Sequence, residues 1–92
     1  IPGGSSSGAA ISVTDGMATA AIGTDTGGSV RIPAALNGLC GFKPTARRVP
    51  LTGTMPLCIS MDSAGPIART VGDCALLDAV LAADPVEAPT PL

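Results

Sequence analysis

Apolar residues along this chain come in short runs, set apart by clusters of Gly, Ser, Thr and Pro. The opening cluster Gly3-Gly4-Ser5-Ser6-Ser7-Gly8 reads as a loop. Ala10, Val13 and Met17 then recur at helical spacing, predicting a short helix over about residues 6–15 that Asp15-Gly16 stops. Its first amides would face back toward the serine loop, with Ser7 as the cap and Ser6 in support. The run 18–23 has side chains too small for a surface and predicts a buried strand, followed by a polar loop over 24–30. Ile32 to Gly38 predicts a second short helix, with Pro33 in its first turn and Asn37-Gly38 at its end. Leu39 to Lys43 predicts a second strand, stopped by Pro44. Residues 44–66 carry four prolines and no clear period, so no regular element is predicted there. The clearest helix comes last, over about 71–83. Thr70 and Asp73 have capping-box spacing, and Cys74, Leu77 and Leu81 share one face. The Pro-rich stretch 85–92 reads as a linker or loop.

Composition changes this picture in one respect. Phe42 is the only aromatic among 92 residues, whereas a small free-standing domain usually needs aromatic bulk in its core. With a start at Ile1-Pro2 and an apolar content of mostly Ala, Val, Ile and Leu, the chain reads as an internal part of one larger α/β domain spanning all of 1–92. A net charge of −2 argues against a basic nucleic-acid surface. No apolar run approaches membrane-spanning length. Cys40, Cys58 and Cys74 show no metal-ligand spacing and read as reduced, buried thiols of a cytoplasmic protein. No metal or cofactor is implied.

The candidate chemistry sits in two Gly/Ser loops separated by one helix-sized segment. The second, Gly23-Thr24-Asp25-Thr26-Gly27-Gly28-Ser29, leaves a strand and offers a run of backbone amides, the kind of surface that stabilises a developing negative charge. Ser29 stands at its exit. The chain has no histidine, so a Ser-His-Asp triad cannot be assembled within it. Asp25 reads as an acid bracing the loop through backbone N–H groups rather than as a substrate contact, and Arg31 as a structural partner for Asp25 or another loop rather than as a contact to a substrate carboxylate. Cys40 reads as a packing residue.

Taken together, Gly3 to Gly8, Gly23 to Ala34, Gly41-Phe42-Lys43-Pro44-Thr45 and Ser60 to Thr70 resemble the amidase signature family, in order, over roughly residues 2–83. The resemblance implies an α/β fold, with this stretch a fragment of the amidase signature fold: a mixed β-sheet core flanked by helices. It also implies a Ser–cis-Ser–Lys triad, with Ser29 as nucleophile and Ser5, after a cis Gly4–Ser5 bond, as proton relay. The amides of Thr26, Gly27, Gly28 and Ser29 would form the oxyanion hole. The triad lysine of the family precedes the serine loop, so Lys43 is not assigned as the base. Ala46-Arg47-Arg48 departs slightly from the family's usual Gly-Arg pair.

The function implied is hydrolysis of a carboxamide through a seryl acyl-enzyme. A rival within the family is the glutaminase subunit of a tRNA-dependent amidotransferase. There, glutamine usually follows the motif arginine; Ile32 at that position favours the stand-alone class. A phosphate- or nucleotide-binding module is a rival of another class, but neither loop ends in the Lys-Ser/Thr of a P-loop or keeps dinucleotide spacing. The partner expected is a small amide, with homo-oligomer formation open and neither nucleic acid nor membrane involved.

Overall fold

The computed structural model describes residues 1–58 and 60–83. Helix α1 covers Ser7–Thr14, strand β1 Ala21–Asp25, helix α2 Arg31–Leu36, strand β2 Cys40–Gly41, strand β3 Ser63–Ala68 and helix α3 Val71–Leu81. The predicted 85–92 linker lies outside the described residues.

The strands form one sheet in the order β1-β3-β2, and both pairings are antiparallel. The central strand, β3, begins inside the 44–66 region where no element was predicted and runs on to Ala68. It eluded the pattern for two physical reasons. All its residues are buried, so it lacks the alternation of a half-exposed strand. It also carries Gly65-Pro66, which ordinarily speaks against a central strand. Pro66 is tolerated because it turns its polar edge toward β2, where its carbonyl accepts from Phe42 N at 3.1 Å. A proline cannot return that bond, and β2 ends just before, at Gly41.

Alternation along β3 divides its contacts between two faces. Ile67 packs with Ala10 of α1 and with Val30 and Ala34 of the α2 region, joined by Ala9, Ala21 and Leu39. On the other face α3 crosses, and the buried Cys74 Sγ sits 4.0 Å from the Pro66 carbonyl and 3.4 Å from that of Cys40. Cβ-sized clearances are minimal here: a methyl on Gly65 would overlap the Phe42 carbonyl oxygen.

The remaining elements differ from expectation mostly at their ends. β1 starts later than the predicted 18–23 strand and runs through Asp25. Ala18 N is bound to Ser12 O at 2.9 Å, which folds residues before β1 back on α1, and pairing from Ala21↔Ile67 to Asp25↔Ser63 fixes the strand. Thr70 Oγ1 caps α3 by accepting from Asp73 N at 3.1 Å, without a return bond from the Asp73 side chain among the described residues. At α1 the N-cap position falls on Ser6, not Ser7, and no side chain caps it, because Ser6 Oγ turns toward Thr24 O instead. Of the cysteines, Cys74 is buried, whereas Cys40 and Cys58 are only partly so; all are free thiols.

Candidate active site

The site is organised by Asp25, the last residue of β1. Its side chain is fully buried, and a carboxylate can be held there only if its oxygens are satisfied. Oδ1 accepts from Gly28 N at 2.8 Å, and Oδ2 from Val30 N at 3.1 Å and Arg31 N at 3.4 Å. The Arg31 guanidinium closes a two-point clamp, Nε on Oδ2 at 3.0 Å and Nη2 on Oδ1 at 3.1 Å. One acid thereby folds the following six residues around itself, as an acid bracing the loop would. Burial pushes the Asp25 carboxyl upward, but the Arg31 guanidinium and the amides of Val30, Gly28 and Arg31 outweigh it and hold it down at about 2.

This has a measurable consequence. A carboxyl held below its ordinary value contributes stability that is complete above about pH 4 and is lost as the pH falls toward 2. The gap amounts to about 2 kcal/mol. Urea unfolding of the full-length protein and of Asp25→Asn should therefore differ most near pH 6 and converge as the pH approaches 2; a constant difference would contradict the pairing.

The braced loop leaves the N–H groups of Thr26, Gly27 and Ser29 without a hydrogen-bond partner among the described residues. Gly28 is different: its amide already belongs to Asp25. The set of amides available to an oxyanion is thus narrower than the four implied by the sequence motif.

The serine loop meets this loop directly. Ser6 N donates to Ser29 O at 3.0 Å, and Ser6 Oγ to Thr24 O at 3.4 Å. Gly23 permits this approach, since a Cβ there would collide with the Ser6 side chain and lie 3.1 Å from Val30 Cγ2. At the start of the loop, Asn37 Nδ2 ties Pro2 O (3.0 Å) to the end of α2. The Gly4–Ser5 peptide bond is cis. Ser5 and Ser29 line one small recess of about 50 Å³, together with Thr24, Thr26, Asp62 and Ser63. Neither the Ser5 nor the Ser29 hydroxyl has a hydrogen-bond partner among the described residues.

Lys43 is the only lysine, and it turns to the loop rather than to either hydroxyl. Nζ donates to Thr26 O at 3.3 Å and lies 4.0 Å from Asp25 Oδ1. That is the geometry of a brace on the loop, and no hydrogen bond to a serine hydroxyl accompanies it among the described residues. Lys43→Met in the full-length protein is accordingly expected to lower thermal stability and to reduce kcat by no more than about tenfold, a loss of one hydrogen bond's order. A normally folded Lys43→Met protein as inactive as Ser29→Ala would make Lys43 the base.

Asp62 and Ser63 line the recess and carried no role in the sequence reading. Asp62 accepts from Thr26 Oγ1, and also from Leu57 N (2.8 Å) and Cys58 N (3.0 Å). The Thr26 hydroxyl and these amides hold its carboxyl below the usual carboxylate range. Asp62 thus pins the loop before β3 against the loop after β1. Ser63 follows it, 3% exposed, with an Oγ that lacks any partner among the described residues. The sequence signal for both was the stretch Ser60 to Thr70, recognisable as part of a family pattern but read as irregular.

Comparison with known proteins bears on this geometry. The family model for Amidase matches residues 1–91. The chain belongs to the amidase family. This amidase stretch is 55% identical over 89 residues to the A subunit of the glutamyl-tRNA(Gln) amidotransferase of Roseiflexus castenholzii, covering 96% of the chain and 18% of that relative. It is 51% identical over 90 residues to mandelamide hydrolase of Pseudomonas putida, covering 97% of the chain and 18% of that enzyme. Among solved structures, the native peptide amidase of Stenotrophomonas maltophilia superposes with a TM-score of 0.87 at 46% identity, over 99% of this chain and 20% of its own. A crystal structure of an amidase gives a TM-score of 0.90 at 50% identity, over 94% of this chain and 20% of its own. The stretch therefore has the amidase signature fold, as a fragment of it, and spans about a fifth of the length of the relatives it matches. No described helix is long and apolar enough to cross a membrane, and no described cluster of acids and cysteines could hold a metal ion.

Proposed function

We propose that this stretch is the central part of a larger cytoplasmic amidase domain that cleaves a carboxamide through an acyl-enzyme on Ser29. The observation that carries the proposal is the recess in which the Ser5 and Ser29 hydroxyls stand beside a loop of unpartnered amides. Exposed apolar side chains such as Ile22 (55%) and Leu36 (58%) support the larger domain, since they offer surfaces for more protein to cover.

In this reading Ser29 Oγ attacks the amide carbonyl while its proton passes to Ser5 and on to a lysine amine outside this stretch. The oxyanion that forms lies against the amides of Thr26, Gly27 and Ser29, donors worth about 3–4 kcal/mol each in comparable sites. The relay returns a proton to the leaving nitrogen, the C–N bond breaks, and water releases the acid.

Two substrate classes compete. Ile32 at the position after the motif arginine favours a stand-alone amidase of small or aryl carboxamides, in keeping with the likeness to mandelamide hydrolase. The likeness to amidotransferase A subunits favours glutamine, hydrolysed within a partner complex. Ammonia release by the full-length protein alone separates them. Turnover of mandelamide or benzamide without other subunits supports the first; turnover of glutamine only, and only with partner subunits, supports the second.

A further inference from the structure

Asp25 braces its loop only from Gly28 onward: its oxygens take the amides of Gly28, Val30 and Arg31 and the Arg31 guanidinium. Thr26 and Gly27, the two residues it passes over, carry amides that have no partner among the described residues. Such amides stabilise an oxyanion best when they are held in place before the charge forms. Thr26 receives that hold from outside the loop. Its hydroxyl donates to Asp62 Oδ1, and its carbonyl accepts from Lys43 Nζ at 3.3 Å. The second bond also orients the next amide. In a trans peptide the N–H points opposite to the carbonyl, so Gly27 N–H faces away from Lys43. Asp62 is itself anchored. It accepts from Leu57 N and Cys58 N, its own amide donates to Cys58 O at 2.8 Å, and the next residue opens β3, paired with Asp25. The Thr26 hydroxyl and the two amides hold its carboxyl below the usual range, so it is an acceptor at neutral pH.

We infer that Asp62 is a positioning residue for the oxyanion: by holding the Thr26 hydroxyl it fixes the span that Asp25 leaves unbraced, and with it the amides of Thr26 and Gly27. The inference rests on the acyl-enzyme reading, since only that reading sets an oxyanion against these amides. Asp62 touches no reacting atom in this role and acts through Thr26. Three variants separate the Thr26–Asp62 bond from the rest of the loop. Asp62→Asn offers one acceptor oxygen to three donors and turns an NH2 group toward one of them. Thr26→Val keeps the shape and the backbone amide of Thr26, and leaves Asp62 its bonds to Leu57 and Cys58. Thr26→Ser keeps the hydroxyl.

The full-length protein, in excess over 4-nitrophenyl butyrate, is followed by nitrophenolate release at several enzyme concentrations, which gives the acylation rate and the substrate dissociation constant separately. Deleting an oxyanion donor costs about 10²–10³-fold, and misplacing donors that remain should cost less, so Asp62→Asn and Thr26→Val should each slow acylation about 10–100-fold. The dissociation constant should stay within about twofold, because the ground-state carbonyl lacks the charge these amides are set to meet. The inhibition constant of trifluoromethyl propyl ketone, whose serine adduct carries an oxyanion, should rise as acylation falls. Thr26→Ser should restore most of the rate, and the double variant should be little worse than the poorer single one, as for two ends of one bond. Where Asp62→Asn fails to fold, Thr26→Val against Thr26→Ser decides alone. A folded Thr26→Val that acylates at the wild-type rate, losses that multiply in the double variant, or a trifluoromethyl ketone held as tightly as by the wild type overturns the inference. So does slower acylation with an equal loss of substrate binding, as general disorder of the site would give. A wild-type protein that cleaves the ester without gaining the butyryl mass after an acid quench overturns the acyl-enzyme reading, and the inference with it.

Discussion

Ser29→Ala in the full-length protein is expected to lower kcat for amide hydrolysis by about 10⁴-fold or more, as deletion of a nucleophile does. The expectation comes from placement. Ser29 ends a loop that Asp25 holds through Gly28, Val30 and Arg31, so its backbone is fixed on both sides. Ser29 lines the recess it shares with Ser5, and its hydroxyl bonds to nothing among the described residues that would divert it. Because none of the loop's bracing bonds uses that hydroxyl, the variant should melt within a few degrees of the parent. Steady-state kinetics and a melting curve together check both halves. Near-parental turnover would remove Ser29 from the reaction.

The second large effect is expected at Ser5. Ser5→Ala should lower kcat by about 10²–10⁴-fold, the range for removing a proton-transfer group, and less than the loss at Ser29 because water can stand in for a relay hydroxyl. The neighbouring serine supplies the internal control. Ser6 bridges the two loops, its amide to Ser29 O and its hydroxyl to Thr24 O at 3.4 Å. Ser6→Ala removes only the longer of these bonds and should cost about tenfold or less. Kinetics of the two variants side by side decide the matter: a silent Ser5→Ala beside a crippled Ser6→Ala would move the relay by one residue.

The loop chemistry was legible in the sequence because its determinants are local. Asp25 reaches amides three to six residues ahead, so an acid, two glycines and an arginine at those offsets already imply a braced turn. The terminal helix was legible for the same reason, through Thr70 and the amide three residues on. β3 was not. Its residues are small, buried on both faces and interrupted by Gly65-Pro66, and it becomes a strand only through partners distant in sequence, such as Ala21 for Ile67. Asp62 and Ser63 were missed with it, since what they do depends on Thr26 and on a recess closed by pairing Asp25 with Ser63. The oxyanion amides show the opposite limit. The motif offers four, and only the fold reveals that Gly28 N is held by Asp25.

The same long-range dependence explains the arrangement of Lys43. Read along the chain, it is the obvious candidate base in a sequence without histidine. Folded, it comes up beneath the loop after β1, where the Thr26 carbonyl and Asp25 take its charge. Its position in the Gly41-Phe42-Lys43-Pro44 segment, next to the short strand β2, brings it to the amide loop, and no hydrogen bond among the described residues joins it to either serine hydroxyl.

The central claim, that Ser29 is the group acylated during turnover, is tested most directly by covalent labelling. The full-length protein is treated with a fluorophosphonate, digested, and the modified peptide sequenced by mass spectrometry. The account predicts one phosphonylated residue in this stretch, Ser29, with activity lost in proportion to label and no labelling of Ser29→Ala. Label on Ser5, Ser6 or Ser63 in place of Ser29, or full activity in protein labelled at Ser29, would contradict it.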